Sequence, residues 1–256
     1  MDEKPSVKSA QRVLALLEFF ANEQRRSTVM QVATSLNYPQ SSTSMLLATL
    51  ESLGYLRFDP SDRSYTPTLR VMLLGSWLQD ELFGSGSLIS AMEDLRLRTG
   101  ETVMVGLRQG IHVRFILSLR GPHSTTIHYP VGVLRPVCRS AVGKVLLAGL
   151  SNAEILRTAR SANAQVQPQD RVSTSELMAE IGKIREQGWA LSVDYPQPDR
   201  ATLAVALPTM PRQPSMALTV GARKARMLQD QERFVKELHA TCERLAYQLH
   251  HDAAER

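Results

Sequence analysis

Ser41-Ser42-Thr43-Ser44 places four hydroxyl side chains in succession, directly after Asn37-Tyr38-Pro39-Gln40. One hydroxyl is enough to cap a helix, because a single side-chain oxygen satisfies one free amide of the first turn. A run of hydroxyls offers more than a cap. Short polar side chains on a first helical turn let the backbone approach a phosphate, and the partial positive charge of that end favours the anion. Gln40 adds an amide that can pair with adenine through two hydrogen bonds, whereas Ser and Thr discriminate little among bases. Lys8 and Arg12 can meet flanking phosphates, and Arg57 and Arg63 can reach phosphate or the minor groove. The chemistry that these types could do together is reading double-stranded DNA, and the candidates are Lys8, Arg12, Gln40, Ser41, Ser42, Thr43, Ser44, Arg57 and Arg63.

The other reactive residues assemble no catalytic set. Gly84-Ser85-Gly86 does not complete a G-x-S-x-G nucleophile elbow. Gly143-Lys144 lacks the upstream glycine and the following hydroxyl residue of a phosphate loop. His123 and His128 are five apart and cannot share a helix face as metal ligands at i, i+4 do. Cys138 and Cys242 lie too far apart in the chain to suggest a framework, and Cys138 reads as a small buried hydrophobe. No enzyme, metal or cofactor is expected.

A DNA-reading cluster needs a scaffold, and the apolar spacing supplies one. Val13, Leu16, Leu17 and Phe20 recur at helical intervals within residues 9–21. Thr28 and Gln31 form a capping box ahead of Val32, Ala33 and Leu36, and Asn37-Tyr38-Pro39 breaks the helix it opens. A third helix from Gln40 or Ser41 carries Leu46, Leu47, Leu50 and Leu53 on its inner face and stops at Gly54. This is a helix-turn-helix layout, in which the start of the last helix meets base edges and phosphates. Tyr55 to Phe58 and Arg63 to Thr66, joined by Asp59-Pro60-Ser61-Asp62, predict a β-hairpin, hence a wing. Leu69, Met72, Leu73 and Trp77 then predict a connecting helix over 69–82.

Past a helix at 88–99 the period falls from 3.6 to 2. Residues 102–108 and 111–119 read as a hairpin around Gly110. Helices are expected at 140–150, from the capping box Ser151 to Glu154, and from the capping box Ser173 to Glu176 as far as Gly188. Strands at 189–194, 203–207 and 216–221 precede a last helix with Val235, Leu238, Cys242, Leu245 and Leu249 inward. The fold class expected is α+β, with an antiparallel sheet in the second half.

The chain has 256 residues, 43% of them hydrophobic and 21% charged. That length holds two domains of ordinary size, and the composition excludes a disordered or fibrous chain. No run approaches the ~18 apolar residues of a membrane span, and the polar start Met1-Asp2-Glu3-Lys4-Pro5 lacks the apolar core of a secretory signal. A cytoplasmic protein is expected. The formal charge of +5 is not evidence for DNA, because residues 1–80 hold eight Lys+Arg and eight Asp+Glu. The excess lies beyond residue 80, where it fits a domain that attracts an anionic ligand.

Gln11-Arg12-Val13-Leu14-Ala15-Leu16-Leu17, Ser41 to Leu50 and Leu53-Gly54-Tyr55-Leu56 resemble the winged helix of IclR-type transcriptional regulators. Arg135-Pro136-Val137-Cys138-Arg139-Ser140-Ala141-Val142-Gly143-Lys144 and Ile184 to Ala190 resemble elements of that family's second domain. The resemblance implies a winged helix-turn-helix domain over 1–68, a linker helix over 69–84 and a GAF-like α/β effector-binding domain over 85–256. It implies promoter binding as a homodimer or homotetramer, modulated by a small organic acid or aromatic compound. The effector positions it carries over are Ala141, Gly143, Ser192, Asp194, Arg200, Thr202, Thr219 and Gly221. Tyr195 to Arg200 and Ala206 depart from the family pattern in the loop and strand beside them. A winged helix that docks protein instead of DNA stays open as a second reading.

Overall fold

The computed structural model describes residues 7–75, 88–122, 130–209 and 214–254. The chain divides after Gly84 into two compact units, Met1–Gly84 and Ser85–Arg256.

In the first unit, α1 (Lys8–Glu23), α2 (Val29–Leu36) and α3 (Gln40–Ser52) enclose a core of Leu16, Phe19, Phe20, Val32, Leu47 and Leu50. The Thr28 box forms as expected: its hydroxyl accepts the Gln31 amide while the Gln31 side chain accepts the Thr28 amide. Asn37 closes α2 in the left-handed region, φ 53°, where a short polar side chain is tolerated. The inner stripe of α3 differs from the expected one. It runs Thr43, Leu47, Leu50, at i, i+4, i+7, and Leu53 falls just past the helix with 52% of its surface exposed.

The wing consists of β2 (Leu56–Asp59) and β3 (Ser64–Pro67), joined antiparallel, with the two-residue β1 (Ser27–Thr28) on the far side of β3. β1 is too short to show a period in sequence. A short helix, α4 (Leu69–Leu73), follows. It begins the expected 69–82 helix, whose later positions Trp77 and Leu82 lie outside the described residues.

The second unit is built on a six-stranded antiparallel sheet of order β6-β5-β4-β9-β8-β7. Its strands are β4 (Thr102–Gln109), β5 (His112–Leu119), β6 (Leu134–Pro136), β7 (Trp189–Val193), β8 (Arg200–Ala206) and β9 (Met216–Arg223). One face carries α5 (Leu88–Thr99) and the final α10 (Gln231–Ala254). The other carries α6 (Ala141–Ala148), with α7 (Asn152–Asn163) and α8 (Thr174–Gln187) beyond it. Residues 224–229 form the short helix α9 between sheet and α10.

The Ser151 capping box forms in both directions, Ser173 accepts the Glu176 amide, and Gly188 ends α8 at φ 81°. The register of α10 differs by a fraction of a turn from the expected one. Among the described side chains of α10, Phe234, Leu238, Thr241 and Leu245 are buried and Val235 and Cys242 flank them; the side chain of the expected Leu249 lies outside the described ones. Phe234 is wholly buried and takes the inner position in place of Val235.

Candidate nucleic-acid interface and effector site

The surface of α3 is set by what its core stripe leaves over. With Thr43, Leu47 and Leu50 inward, Gln40, Ser41, Ser44, Met45 and Ala48 form one exposed stripe at i, i+3/i+4, i+7. The first turn holds no acidic residue, so its amides and dipole face an approaching phosphate without a competing carboxylate.

Thr43 is a correction to the expected set. Its side chain is fully buried, and its hydroxyl donates to the Pro39 carbonyl at 3.0 Å. It is spent within the first turn of α3 and cannot touch a base. Ser42 donates to the same carbonyl at 3.0 Å and is partly exposed, so it is shared between turn and surface. Met45, 67% exposed at the centre of the stripe, and Ala48 were absent from the sequence expectation. Spacing from Ser41 would have found both. Their apolar surface suits thymine methyls.

The flanking cations are placed as follows. Lys8 is exposed on the first turn of α1, and Arg12 lies over the Tyr38 ring, 5.2 Å from its centroid, beside the turn into α3. Arg57 is exposed on β2, and Arg63 is exposed at φ 56° in the wing turn.

The wing also carries two carboxylates. Asp59 accepts the Ser61 hydroxyl and amide, and Asp62 accepts those of Ser64. These bonds hold both carboxyls below the usual carboxylate range. Arg26 bridges them, 3.0 Å from Asp62 and 4.0 Å from Asp59, which partly neutralises the wing. A cleft of about 450 Å³ beside it is lined by Phe20, Gln24, Arg25, Arg26, Arg57, Asp59, Thr66 and Pro67.

In the second unit the register assembles most of the expected effector positions. Ser192, Thr202, Gly221 and Thr102 are successive direct partners across β7, β8, β9 and β4. The next row of the same face is Ala190, Ala204, Thr219 and Met104. Ser192 donates to the Arg139 carbonyl at 3.3 Å, which joins this face to the start of α6. Thr219 is buried and donates to the Leu203 carbonyl at 2.7 Å. Arg200, partly buried, shares the alternation of Thr202 and so points to the same face at its edge. Ala141 is buried in the α6 core.

Two expected effector positions do other work. A Cβ on Gly143 would stand 2.0 Å from the Val137 carbonyl oxygen, so this glycine admits a backbone rather than a ligand. Asp194 is exposed at φ 54°, ion-paired to Lys224, and accepts the Asp199 amide. The Lys224 and Asp199 bonds hold its carboxyl below the usual range. Asp194 therefore organises the β7–β8 loop. Cys138 is no nucleophile in this setting, because burial pushes its thiol up to about 11.

The IclR helix-turn-helix domain profile matches residues 9–60, and the bacterial transcriptional regulator IclR C-terminal profile matches residues 87–247. The chain belongs to the IclR family. Its curated relatives include the HTH-type transcriptional regulator XynR of Escherichia coli, 25% identical over 80% of this chain and 81% of that protein. The HTH-type transcriptional regulator KdgR of the same organism is 22% identical over 98% and 97%.

Among solved structures, an IclR transcriptional regulator from Alicyclobacillus acidocaldarius has the same fold, with a TM-score of 0.80 at 23% identity over 93% and 97% of the chains. The effector domain of a regulator from Acinetobacter sp. ADP1 matches at 0.58 and 26% identity, over 62% of this chain and 93% of that one. As an IclR-family member the protein is a DNA-binding transcriptional regulator, not an enzyme. Among the described residues no helix is long and apolar enough to cross a membrane.

Proposed function

We propose that this IclR-family chain reads a promoter operator through the first two turns of α3 and that a small ligand in the second unit changes its operator affinity. The observation that carries the first half is the acid-free opening of α3, with Gln40, Ser41, Ser44, Met45 and Ala48 exposed on one stripe. Gln40 reads a base edge, Ser41, Ser42 and Ser44 bring the backbone to phosphate, and Met45 and Ala48 meet thymine methyls. Lys8, Arg12, Arg57 and Arg63 hold the flanking phosphates.

The operator is read by two copies, since one small helix-turn-helix makes few base contacts and paired half-sites multiply specificity. Leu69, Met72, Leu73 and Leu74 support a homodimer seam beside the linker, being exposed together around α4. A tetramer is a pair of such dimers. The ligand is a small organic acid or aromatic compound held on the α6 face near Ser192, Arg200, Thr202, Thr219 and Gly221. It acts only through unequal affinity for two arrangements of the dimer. DNA as the target sets the compartment as the cytoplasm.

A salt-titrated band shift on the DNA upstream of the protein's own gene tests the first half. Affinity falls steeply as salt rises, because phosphate contacts release counterions. No shift at low salt refutes the DNA-reading geometry and favours the protein-docking alternative. A ligand that raises the melting temperature yet leaves operator affinity and transcription unchanged refutes the second half.

A further inference from the structure

The wing carries four charged side chains, Arg57 and Asp59 on β2 and Asp62 and Arg63 in its turn. Arg57 and Asp59 share one face of the strand and Asp62 adjoins Arg63, so each arginine has an acidic neighbour in the hairpin. Yet among the described residues neither arginine is ion-paired. Both carboxylates face Arg26 instead.

Arg26 comes from outside the wing. It precedes β1, which pairs with β3 through Ser27 opposite Tyr65 and Thr28 opposite Ser64. Its Nη1 stands 3.0 Å from Asp62 Oδ2 and 4.0 Å from Asp59 Oδ2. The other oxygen of each carboxylate belongs to the turn: Asp59 Oδ1 accepts the Ser61 hydroxyl and Asp62 Oδ1 that of Ser64, both at 2.6 Å. The Ser61 hydroxyl and amide, then Arg26, then Arg57 hold the Asp59 carboxyl below its ordinary range, so it is charged at neutral pH. The cleft beside the wing shows the same division of partners. Of its cations, Arg25 is held by Glu23 at 3.0 Å and Arg26 by the wing acids, and Arg57 is left uncommitted among the described residues.

We propose that Arg26 is the wing's counter-ion: it occupies Asp59 and Asp62, keeps Arg57 and Arg63 from closing onto them, and so leaves those two arginines free for DNA phosphate. This rests on the reading of Arg57 and Arg63 as phosphate contacts. Arg26 is a positioning residue in this role and makes no DNA contact of its own. Without it, two bare carboxylates repel phosphate and also compete with phosphate for the wing arginines, all within a Debye length of about 10 Å. The side chains of Arg26, Asp59 and Asp62 are 65%, 40% and 41% exposed, so these pairs add little to folding stability. Their weight falls on binding.

The test is a band-shift titration of the full-length protein on the DNA upstream of its own gene, over a range of salt. Arg26→Gln lowers affinity by about fivefold, the size of effect that exposed charges give. It also flattens the salt dependence by about one phosphate contact per copy, although Arg26 is not a contact, and leaves the melting temperature unchanged. Arg57→Gln loses less in the Arg26→Gln protein than in the wild type, because Arg57 is there already drawn to Asp59. Asp59→Asn with Asp62→Asn keeps the turn's acceptor oxygens and removes the charge. In that background Arg26→Gln changes neither affinity nor salt dependence. Arg26→Lys, which keeps the charge, recovers most of the loss.

Wild-type affinity in the Arg26→Gln protein overturns the proposal. So does a loss that persists undiminished once both aspartates are replaced, since Arg26 is then itself a phosphate contact. Wild-type affinity in Arg57→Gln and Arg63→Gln sinks the wing reading and the counter-ion with it. Losses in those two variants that simply add to the loss in Arg26→Gln leave the wing reading standing and remove the counter-ion alone.

Discussion

Gly143 lies against Val137 so closely that a methyl group in place of its hydrogen would stand 2.0 Å from the Val137 carbonyl oxygen. The contact seats α6 on the turn that leads out of β6, and with it the Arg139 carbonyl that receives Ser192. Gly143→Ala therefore displaces backbone and not a flexible side chain. It costs about 1–3 kcal/mol, the range for overpacking a tight core. Thermal unfolding of the full chain reads this as a lower melting temperature, and a variant as stable as the wild type shows that α6 is seated otherwise.

Within α3 the buried and exposed hydroxyls separate stability from DNA binding. Thr43→Val removes the donor to the Pro39 carbonyl and keeps the shape, and destabilises the chain by about 1 kcal/mol. Ser41→Glu and Ser44→Glu set a carboxylate against phosphate on an exposed stripe. They abolish the band shift with the melting temperature unchanged. Wild-type operator affinity in both glutamate variants rules out this placement of the helix.

Met45 gives a more specific readout. At 67% exposure it contributes little to the core, so Met45→Ala leaves stability within about 0.5 kcal/mol of wild type. Selection of binding sites from random DNA should show a weakened preference for thymine at one half-site position. An unchanged site preference places Met45 off the groove.

The seam around α4 is tested by charge. Leu69 is 75% exposed and Leu73 lies one turn on, so Leu69→Glu with Leu73→Glu adds repulsion across a two-fold contact without touching a core residue. Sedimentation at fixed concentration should show a smaller species than the wild type, with operator affinity reduced. A wild-type assembly in the double variant removes α4 from the seam.

Acid should weaken the loop that bounds the proposed ligand face. The Asp194 carboxyl is lowered by Lys224 and by the Asp199 amide. A folded value below the unfolded one stabilises above the ordinary Asp range, about pH 4, and the contribution is lost as pH falls through the folded value. Asp194→Asn should flatten the acid limb of the melting-temperature profile below about pH 4 and lower the plateau above it. Parallel profiles for variant and wild type would remove Asp194 from that role.

Features that depend on neighbours in sequence are legible in the sequence itself. The Thr28–Gln31 and Ser151–Glu154 boxes, the left-handed stop at Gly188 and the turn at Gly110 are local hydrogen-bond and dihedral events. Ser192 and Thr202 enter only through the family resemblance, and it is the β7–β8 register that sets them on one face. Charge is balanced in residues 1–80, so helix pattern and not net charge marks the DNA-reading unit.

What depends on packing was decided only by the tertiary structure. Thr43 and Ser44 are neighbours of similar type, and only the position of Leu47 and Leu50 against the core turns one inward and the other out. Phe234, not Val235, leads the inner face of α10, which the 3-4 spacing alone does not decide. Gly143 and Asp194 match the family's effector positions by sequence, yet the first is occupied by the Val137 backbone and the second by Lys224. Arg139 covers the Tyr195 ring across more than fifty residues of sequence, and no periodicity links the two. Short-range chemistry sets the elements; which of their side chains remain available to DNA or to a ligand is settled by the long-range contacts that consume the rest.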